Sequence, residues 1–254
     1  MKAYILDLDG VIYRGSSPID GAPGAVNRLQ DHAEVLFLTN NSTRSRSAVA
    51  ARLSEAGIRC KEHDVITAGY AAAVYIRKRY GAGTVYPIGE AGLIEELKAQ
   101  GHAISEDADF VVVGLDRDLS YEKLRIGLQN ILDGAKFIAT NTDPVLPTET
   151  GFVPGAGAIV RALETASGQS PVVTGKPEPP IMDIVLEHLG LDADECTVVG
   201  DRLDTDILAG IRCGMRTVLV LTGVETMASV ERSDIKPDCV IQSIRELLVA
   251  PGRR

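Results

Sequence analysis

The sequence predicts an α/β protein: a Rossmann-like parallel sheet with helices on both faces, carrying a second, inserted α/β module. Three observations predict it. Short apolar runs rich in Val, Ile and Leu alternate with helical stretches along the 254 residues, and strands separated by helices imply parallel pairing. The runs are nearly continuous rather than alternating, as strands buried on both faces require; Val218-Leu219-Val220-Leu221 is the clearest. Between about residues 81 and 170 the pattern repeats on its own, without the polar residues that end the flanking runs.

Taken in order, strands are expected at Ala3–Leu8, Val35–Thr39, Pro171–Thr174, Thr197–Gly200 and Thr217–Thr222. Helices are expected at Gly24–Asp31, Ser45–Gly57, Thr67–Tyr80, Pro180–Gly190 and Asp204–Cys213, with Gly57, Gly190 and Gly214 placed where a helix stops in left-handed backbone. The middle segment reads as strands Val85–Ile88, Phe110–Val113 and Lys136–Ala139 with helices Ala91–Gln100, Tyr121–Asp133 and Gly157–Thr165. Gly81-Ala82-Gly83 and Ser167-Gly168-Gln169-Ser170-Pro171 are turn-forming junctions. The expected organisation is therefore a discontinuous domain, 1–80 with 171–254, interrupted by a domain at 81–170.

Composition excludes several classes of function. A net charge of −9 argues against non-specific nucleic-acid binding and against docking on anionic membranes. Cys60, Cys196, Cys213 and Cys239 are widely spaced, which fits neither a disulfide framework nor a zinc site and suits a reducing compartment. No apolar run reaches the roughly 18 residues of a spanning helix. Asp7 and Asp9 interrupt the N-terminal run, so it is no secretory signal either. A cytoplasmic location is the expectation.

Asp7-Leu8-Asp9-Gly10 is the most informative stretch. Two carboxylates one residue apart at the end of a buried strand repel each other and resist burial. A cation or a proton relieves both costs. Gly10 then lets the backbone turn sharply beside them. Three further runs end in polar groups: Val35–Leu38 at Thr39-Asn40-Asn41-Ser42, Val172–Thr174 at Gly175-Lys176-Pro177, and Val198-Val199 at Gly200-Asp201, followed by Asp204 and Asp206. Ligands of open parallel sheets bind outside the carboxyl ends of the strands, so these residues are expected on one rim. Carboxylates are hard ligands for Mg²⁺. A lysine, a hydroxyl and backbone N–H groups suit phosphoryl oxygens. The inventory fits phosphoryl transfer, in which catalysis is mostly positioning and charge neutralisation.

DxDG, TNNS, GKP and GDRLDTDI stand here in an order and spacing that resembles the haloacid dehalogenase (HAD) superfamily of phosphatases. With Val153-Pro154-Gly155-Ala156-Gly157 they are similar to the NagD and 4-nitrophenylphosphatase group, which carries a large α/β cap between the second and third motifs. The resemblance spans residues 2–240. It implies that Asp7 is the nucleophile and becomes an aspartyl-phosphate, and that Asp9 serves the leaving oxygen and the water as acid and base. It implies that Thr39, Asn40, Asn41 and Lys176 hold the phosphoryl group. Mg²⁺ would be held by Asp7, the Asp9 carbonyl and Asp201, with Asp206 behind them. It implies a small soluble phosphate ester as substrate, phosphoglycolate-like or a nucleoside monophosphate, or 4-nitrophenyl phosphate in vitro, and a homodimer.

Other readings compete. A phosphomutase would also pass through aspartyl-phosphate, and a receiver-type phospho-acceptor module would gather the same groups without a general acid or a cap. A dehalogenase would need neither Asp9 nor Asp201. Asp204 is expected as an N-cap. Arg44 and Arg46 read as a solvated helix face. Asp116, Asp118 and Asn141-Thr142-Asp143 follow strands of the inserted segment and are candidates for substrate choice. His32, His63, His102 and His188 share no ligand spacing, and Gly155-Ala156-Gly157 lacks the third glycine of a dinucleotide fingerprint.

Overall fold

The structure is a computed structural model that describes residues 1–148 and 151–247. The end of the expected 171–254 segment, from residue 248, and residues 149 and 150 of the inserted segment lie outside the described residues. The strands are β1 (Ala3–Leu6), β2 (Tyr13–Arg14), β3 (Ser17–Pro18), β4 (Glu34–Thr39), β5 (Val65–Thr67), β6 (Thr84–Ile88), β7 (Ala103–Ile104), β8 (Phe110–Val113), β9 (Lys136–Ala139), β10 (Val145–Thr148), β11 (Gly151–Pro154), β12 (Val172–Val173), β13 (Cys196–Gly200), β14 (Arg216–Val220) and β15 (Cys239–Ile241). The α-helices are α1 (Ala22–Gln30), α2 (Arg46–Glu55), α3 (Ala68–Tyr80), α4 (Ala91–Ala99), α5 (Tyr121–Leu132), α6 (Ala156–Ser167), α7 (Pro179–Leu189), α8 (Leu208–Cys213) and α9 (Met227–Arg232). No described helix is long and apolar enough to cross a membrane.

The chain divides into two compact units. The first comprises Met1–Thr39, Val49–Ile66 and the chain from Val185 on. Its six-stranded sheet has the order β15-β14-β13-β1-β4-β5. β1 lies at its centre, parallel to β13 (Leu6 opposite Val199) and to β4 (Leu6 opposite Phe37). Burial on both faces explains the unbroken apolar runs. On one face Leu6, Phe37, Val199 and Val218 pack with Ala22, Ala25, Val26 and Leu29 of α1 and Val49 and Leu53 of α2. The α1 residues recur at the i, i+3, i+4, i+7 spacing of one helical face. On the other face Leu203, Ile207, Leu219 and Val230 form a smaller cluster.

The second unit comprises Asn40–Ala48 and Thr67–Ile184, and contains the whole of the expected inserted segment. Its five-stranded sheet has the order β12-β9-β8-β6-β7, with each neighbouring pair parallel. Val111, Val113 and Phe137 pack on one face with Ile131, Val160 and Leu163; Val85, Val112 and Ile138 pack on the other with Ile76, Leu93 and Leu97. An antiparallel hairpin, β10–β11, follows β9.

Three expectations change. The run at 171–174 is expected in the sheet that holds Asp7, but β12 pairs with β9, Val172 opposite Ile138 and Val173 opposite Ala139, so Lys176 follows a strand of the second sheet. Two paired residues give too short an apolar run to identify the sheet it edges. The stretch expected as one helix from Asp204 starts with a π-helical turn, Leu203–Ile207, capped at Arg202, and continues as α8. Asp204 is therefore inside the turn and no N-cap; its exposed carboxylate pairs with Arg202 at 2.9 Å. Arg46 is not on a solvated face: its side chain is only 13 % exposed and binds Glu96.

Candidate active site

In the first unit β1, β4 and β13 are parallel neighbours, so the residues following them leave the sheet at its carboxyl edge. Asp7 follows β1 directly, its N–H donating to the Val199 carbonyl at 2.9 Å. Thr39 ends β4 and is buried. Asp201 follows β13, and Asp206 lies in the π-helical turn; both are buried. Carboxylate oxygens of Asp7, Asp201 and Asp206 lie within 4.8 Å of one another. Asp9 is outside this cluster and exposed, in a tight turn closed by N–H donation from Gly10 to the Tyr13 carbonyl (2.7 Å) and from Ile12 to the Leu8 carbonyl (2.8 Å).

The loops leave room for these carboxylates by lacking side chains. Gly10, in left-handed backbone at φ +83°, and Gly223 each present a Cα where a Cβ would fall on the Asp201 carboxylate. Gly200 does the same for Asp206. Backbone N–H groups then hold the acids: Val224 donates to Asp201 Oδ2 at 2.8 Å, and Arg202 donates to Asp206 Oδ2 at 3.2 Å. Thr222 Oγ1 donates to the Gly10 carbonyl at 2.6 Å, tying the loop after β14 to the turn after β1. Three buried carboxylates this close repel one another, and hard oxygen donors around a shared point fit a divalent cation.

In the second unit Asn40 and Lys176 form one assembly. The Asn40 amide group donates to the Lys176 carbonyl at 2.9 Å and accepts the Lys176 N–H at 2.9 Å. It also donates to Asp143 Oδ2 at 3.2 Å, and Asn141 Nδ2 donates to the Asn40 carbonyl at 2.8 Å. The side chain of Asn40 is thus occupied in holding Lys176 and Asp143. Asn41 shapes the turn, its Oδ1 accepting from both N–H and Oγ1 of Thr43 at 2.8 Å. Lys176 is only 4 % exposed. Asp116 and Asp118 line a cavity of about 530 Å³ with Gly89, Glu90, Arg117 and Lys123, and Lys123 binds Asp116 at 2.7 Å. His102 is a packing histidine, buried with Nε2 3.0 Å from the Ala73 carbonyl.

Sequence reasoning missed Val224, which donates to Asp201, Gly223, which leaves room for it, Thr222, which ties the Gly10 turn, and the part that Asn141 and Asp143 take in fixing Asn40. A signal for the first existed: Thr222-Gly223 ends the apolar run Val218–Leu221, as the other polar groups end theirs.

A parallel sheet with an acidic triad at its carboxyl edge, in a chain that also carries a second parallel-sheet unit, is the architecture of the HAD hydrolases. A family model described as haloacid dehalogenase-like hydrolase matches residues 4–103, and a HAD-hydrolase-like model matches 173–247. The chain belongs to this family. Its relatives include an acid sugar phosphatase of Staphylococcus saprophyticus, 41 % identical over 250 residues, 97 % of this chain and 96 % of the relative. Among solved structures, a p-nitrophenyl phosphatase from Archaeoglobus fulgidus superposes with a TM-score of 0.94 at 40 % identity, covering 98 % of this chain and 99 % of that one. A glycerol phosphate phosphatase from Mycobacterium tuberculosis, in complex with magnesium, gives 0.90 at 35 %, covering 97 % and 76 %. These place the chain in the NagD-like group of HAD phosphatases.

Proposed function

We propose that the chain is a Mg²⁺-dependent phosphomonoesterase for small phosphate esters, with sugar phosphates as the leading substrate class and 4-nitrophenyl phosphate as a serviceable artificial one. The buried cluster of Asp7, Asp201 and Asp206 carries the reading, because such an arrangement of oxygen donors fits a divalent ion. The names of the relatives, sugar phosphatase, nitrophenyl phosphatase and glycerol phosphate phosphatase, support the substrate class. The inserted segment 81–170, which lies within the second unit, is proposed as the cap on a core of 1–80 and 171–254, and a homodimer is proposed from the resemblance, with light scattering as its check.

Asp7, Asp201 and the backbone carbonyl of Asp9 would hold Mg²⁺, with Asp206 supporting them. The bound ion would offset the negative charge of Asp7 and of the phosphate, so that two anions can meet. An Asp7 carboxylate oxygen attacks phosphorus, forming an aspartyl-phosphate as the P–O bond to the leaving group breaks. Asp9, in its acid form, gives the leaving oxygen a proton. The resulting Asp9 carboxylate then takes a proton from water, whose oxygen attacks phosphorus; the bond to Asp7 breaks and inorganic phosphate departs. Thr39 Oγ1, the Asn40 N–H and the Lys176 ammonium are assigned to the phosphoryl oxygens, where donors stabilise charge as it develops. Exposure of Asp9 suits a group that must exchange protons with leaving group and water in turn.

The test is phosphate release from sugar phosphates, glycerol phosphate, phosphoglycolate, nucleoside monophosphates and 4-nitrophenyl phosphate, with Mg²⁺ and with EDTA. Release that needs Mg²⁺ and favours the sugar phosphates is expected, with Asp7→Asn reduced to background. Release unaffected by EDTA, or retained by Asp7→Asn, would refute the reading.

A further inference from the structure

We propose that Glu96, on α4, is a positioning residue for the phosphate-binding segment: its buried carboxylate caps the start of α2 and thereby holds residues 40–46 in place. The inference rests on the reading of Asn40 as a phosphoryl donor. Glu96 is 3 % exposed. Its Oε1 accepts the backbone N–H of Arg46 at 2.6 Å, and its Oε2 accepts from Arg46 Nε at 3.3 Å. Arg46 is the first residue of α2, which carries no acidic residue in its own first turn. The first N–H groups of a helix have no intrahelical partner, and the positive end of its dipole favours an anion. Glu96, fifty positions along the chain, supplies both the acceptor and the charge. The Arg46 guanidinium is confined further by the Tyr70 ring, 3.7 Å from its centroid.

Asn40, at the other end of the segment, is held by Lys176, Asn141 and the Asp143 carboxylate, and the stretch between is fastened by neutral contacts. The Gly92 N–H, on the same helix as Glu96, donates to the Thr43 carbonyl at 3.2 Å. A Cβ at Gly92 would collide with the Arg44 backbone, so α4 packs directly on the segment. Ser42 Oγ accepts from Thr140 Oγ1 at 3.4 Å, a long contact. Of the anchors between Ser42 and Arg46 named here, Glu96 is the buried and ionic one, so it fixes the end of the segment that leads into α2. A donor displaced by about an ångström loses much of its effect on a reacting group, as much as about a hundredfold in rate. Glu96 touches neither substrate nor reacting atoms in this scheme; it acts through Arg46.

Glu96→Ala, Glu96→Gln and the wild type are compared in three readouts: the inhibition constant of inorganic phosphate, KM against kcat for 4-nitrophenyl phosphate, and the Mg²⁺ concentration for half-maximal activity. Glu96→Ala is expected to weaken phosphate inhibition and raise KM by about tenfold or more. Glu96→Gln keeps a carbonyl for the Arg46 N–H and loses only the charge, so a smaller, several-fold change is expected. Half-saturation by Mg²⁺ should move less than about twofold, because the proposed metal ligands Asp7 and Asp201 belong to the other unit. Unchanged phosphate inhibition in a folded variant overturns the proposal. Equal losses for phosphate and Mg²⁺ also overturn it, since they mark general disruption. Glu96→Gln decides the matter if Glu96→Ala does not fold. If inorganic phosphate fails to inhibit the wild type, the phosphate-binding reading of residues 40–42 falls and this inference falls with it; if it inhibits wild type and variants alike, only the positioning role falls.

Discussion

Gly10 and Gly57 have nearly the same φ, +83° and +84°, but different surroundings. A Cβ added at Gly57 meets nothing within 4 Å, whereas one added at Gly10 falls on the Asp201 carboxylate. Gly57→Ala should therefore cost only the strain of a side chain in left-handed backbone, about 1–2 kcal/mol. Gly10→Ala carries the same strain and must also move Asp201, which loses the N–H of Val224, now at 2.8 Å. A hydrogen bond to a charged group contributes about 1.5–3 kcal/mol, so the total comes to roughly 2.5–5 kcal/mol. Urea unfolding followed by circular dichroism measures both variants, with and without Mg²⁺. At about a hundred times its Kd, Mg²⁺ should stabilise the wild type and Gly57→Ala by about 2.7 kcal/mol; a tenfold loss of affinity in Gly10→Ala shrinks that to about 1.4 kcal/mol. If the two alanines cost the same and respond equally to Mg²⁺, Asp201 is not held against the Gly10 turn and the metal-site geometry is wrong.

Neighbouring acids should separate cleanly. Asp204→Ala removes an exposed ion pair with Arg202 and should change stability by less than about 1 kcal/mol with activity retained, whereas Asp206→Ala removes a buried member of the acidic cluster and should raise the Mg²⁺ requirement severalfold, both read in one Mg²⁺ titration. Burial, with the negative charge of Asp64 nearby, pushes the Cys60 thiol up to about 12. It should remain protonated, and resist iodoacetamide, in the folded protein from about pH 7 to 9; peptide mass spectrometry should find it alkylated only after unfolding, and rapid native alkylation at about pH 8 would contradict this.

Much of the fold can be read from the chain because the parallel strands are buried on both faces and announce themselves as unbroken apolar runs. Asp7, Thr39 and Asp201 are legible for the same reason: each stands where such a run stops, and the sheet's carboxyl edge collects them. The sheet to which Lys176 belongs is not legible, since β12 pairs through only two residues and apolar character says nothing about which neighbour it meets. Arg46 reads wrongly as solvated because its partner lies on α4, and no local pattern reports a pairing between separate helices. Asp204 and Asp206 look alike in the sequence; the π-helical turn exposes the first and buries the second. β5, β15 and the β10–β11 hairpin leave little mark in the sequence, being short strands whose residues become sheet edge or apolar surface only through pairing.

The most direct measurement is an acid quench of the enzyme turning over a phosphate-labelled sugar phosphate in Mg²⁺, followed by peptide mapping. Label covalently attached at Asp7, absent in Asp7→Asn and absent when EDTA replaces Mg²⁺, is the predicted result. Turnover at full rate with no label on Asp7 at any quench time, or label on another residue, would contradict the assignment of Asp7 as nucleophile.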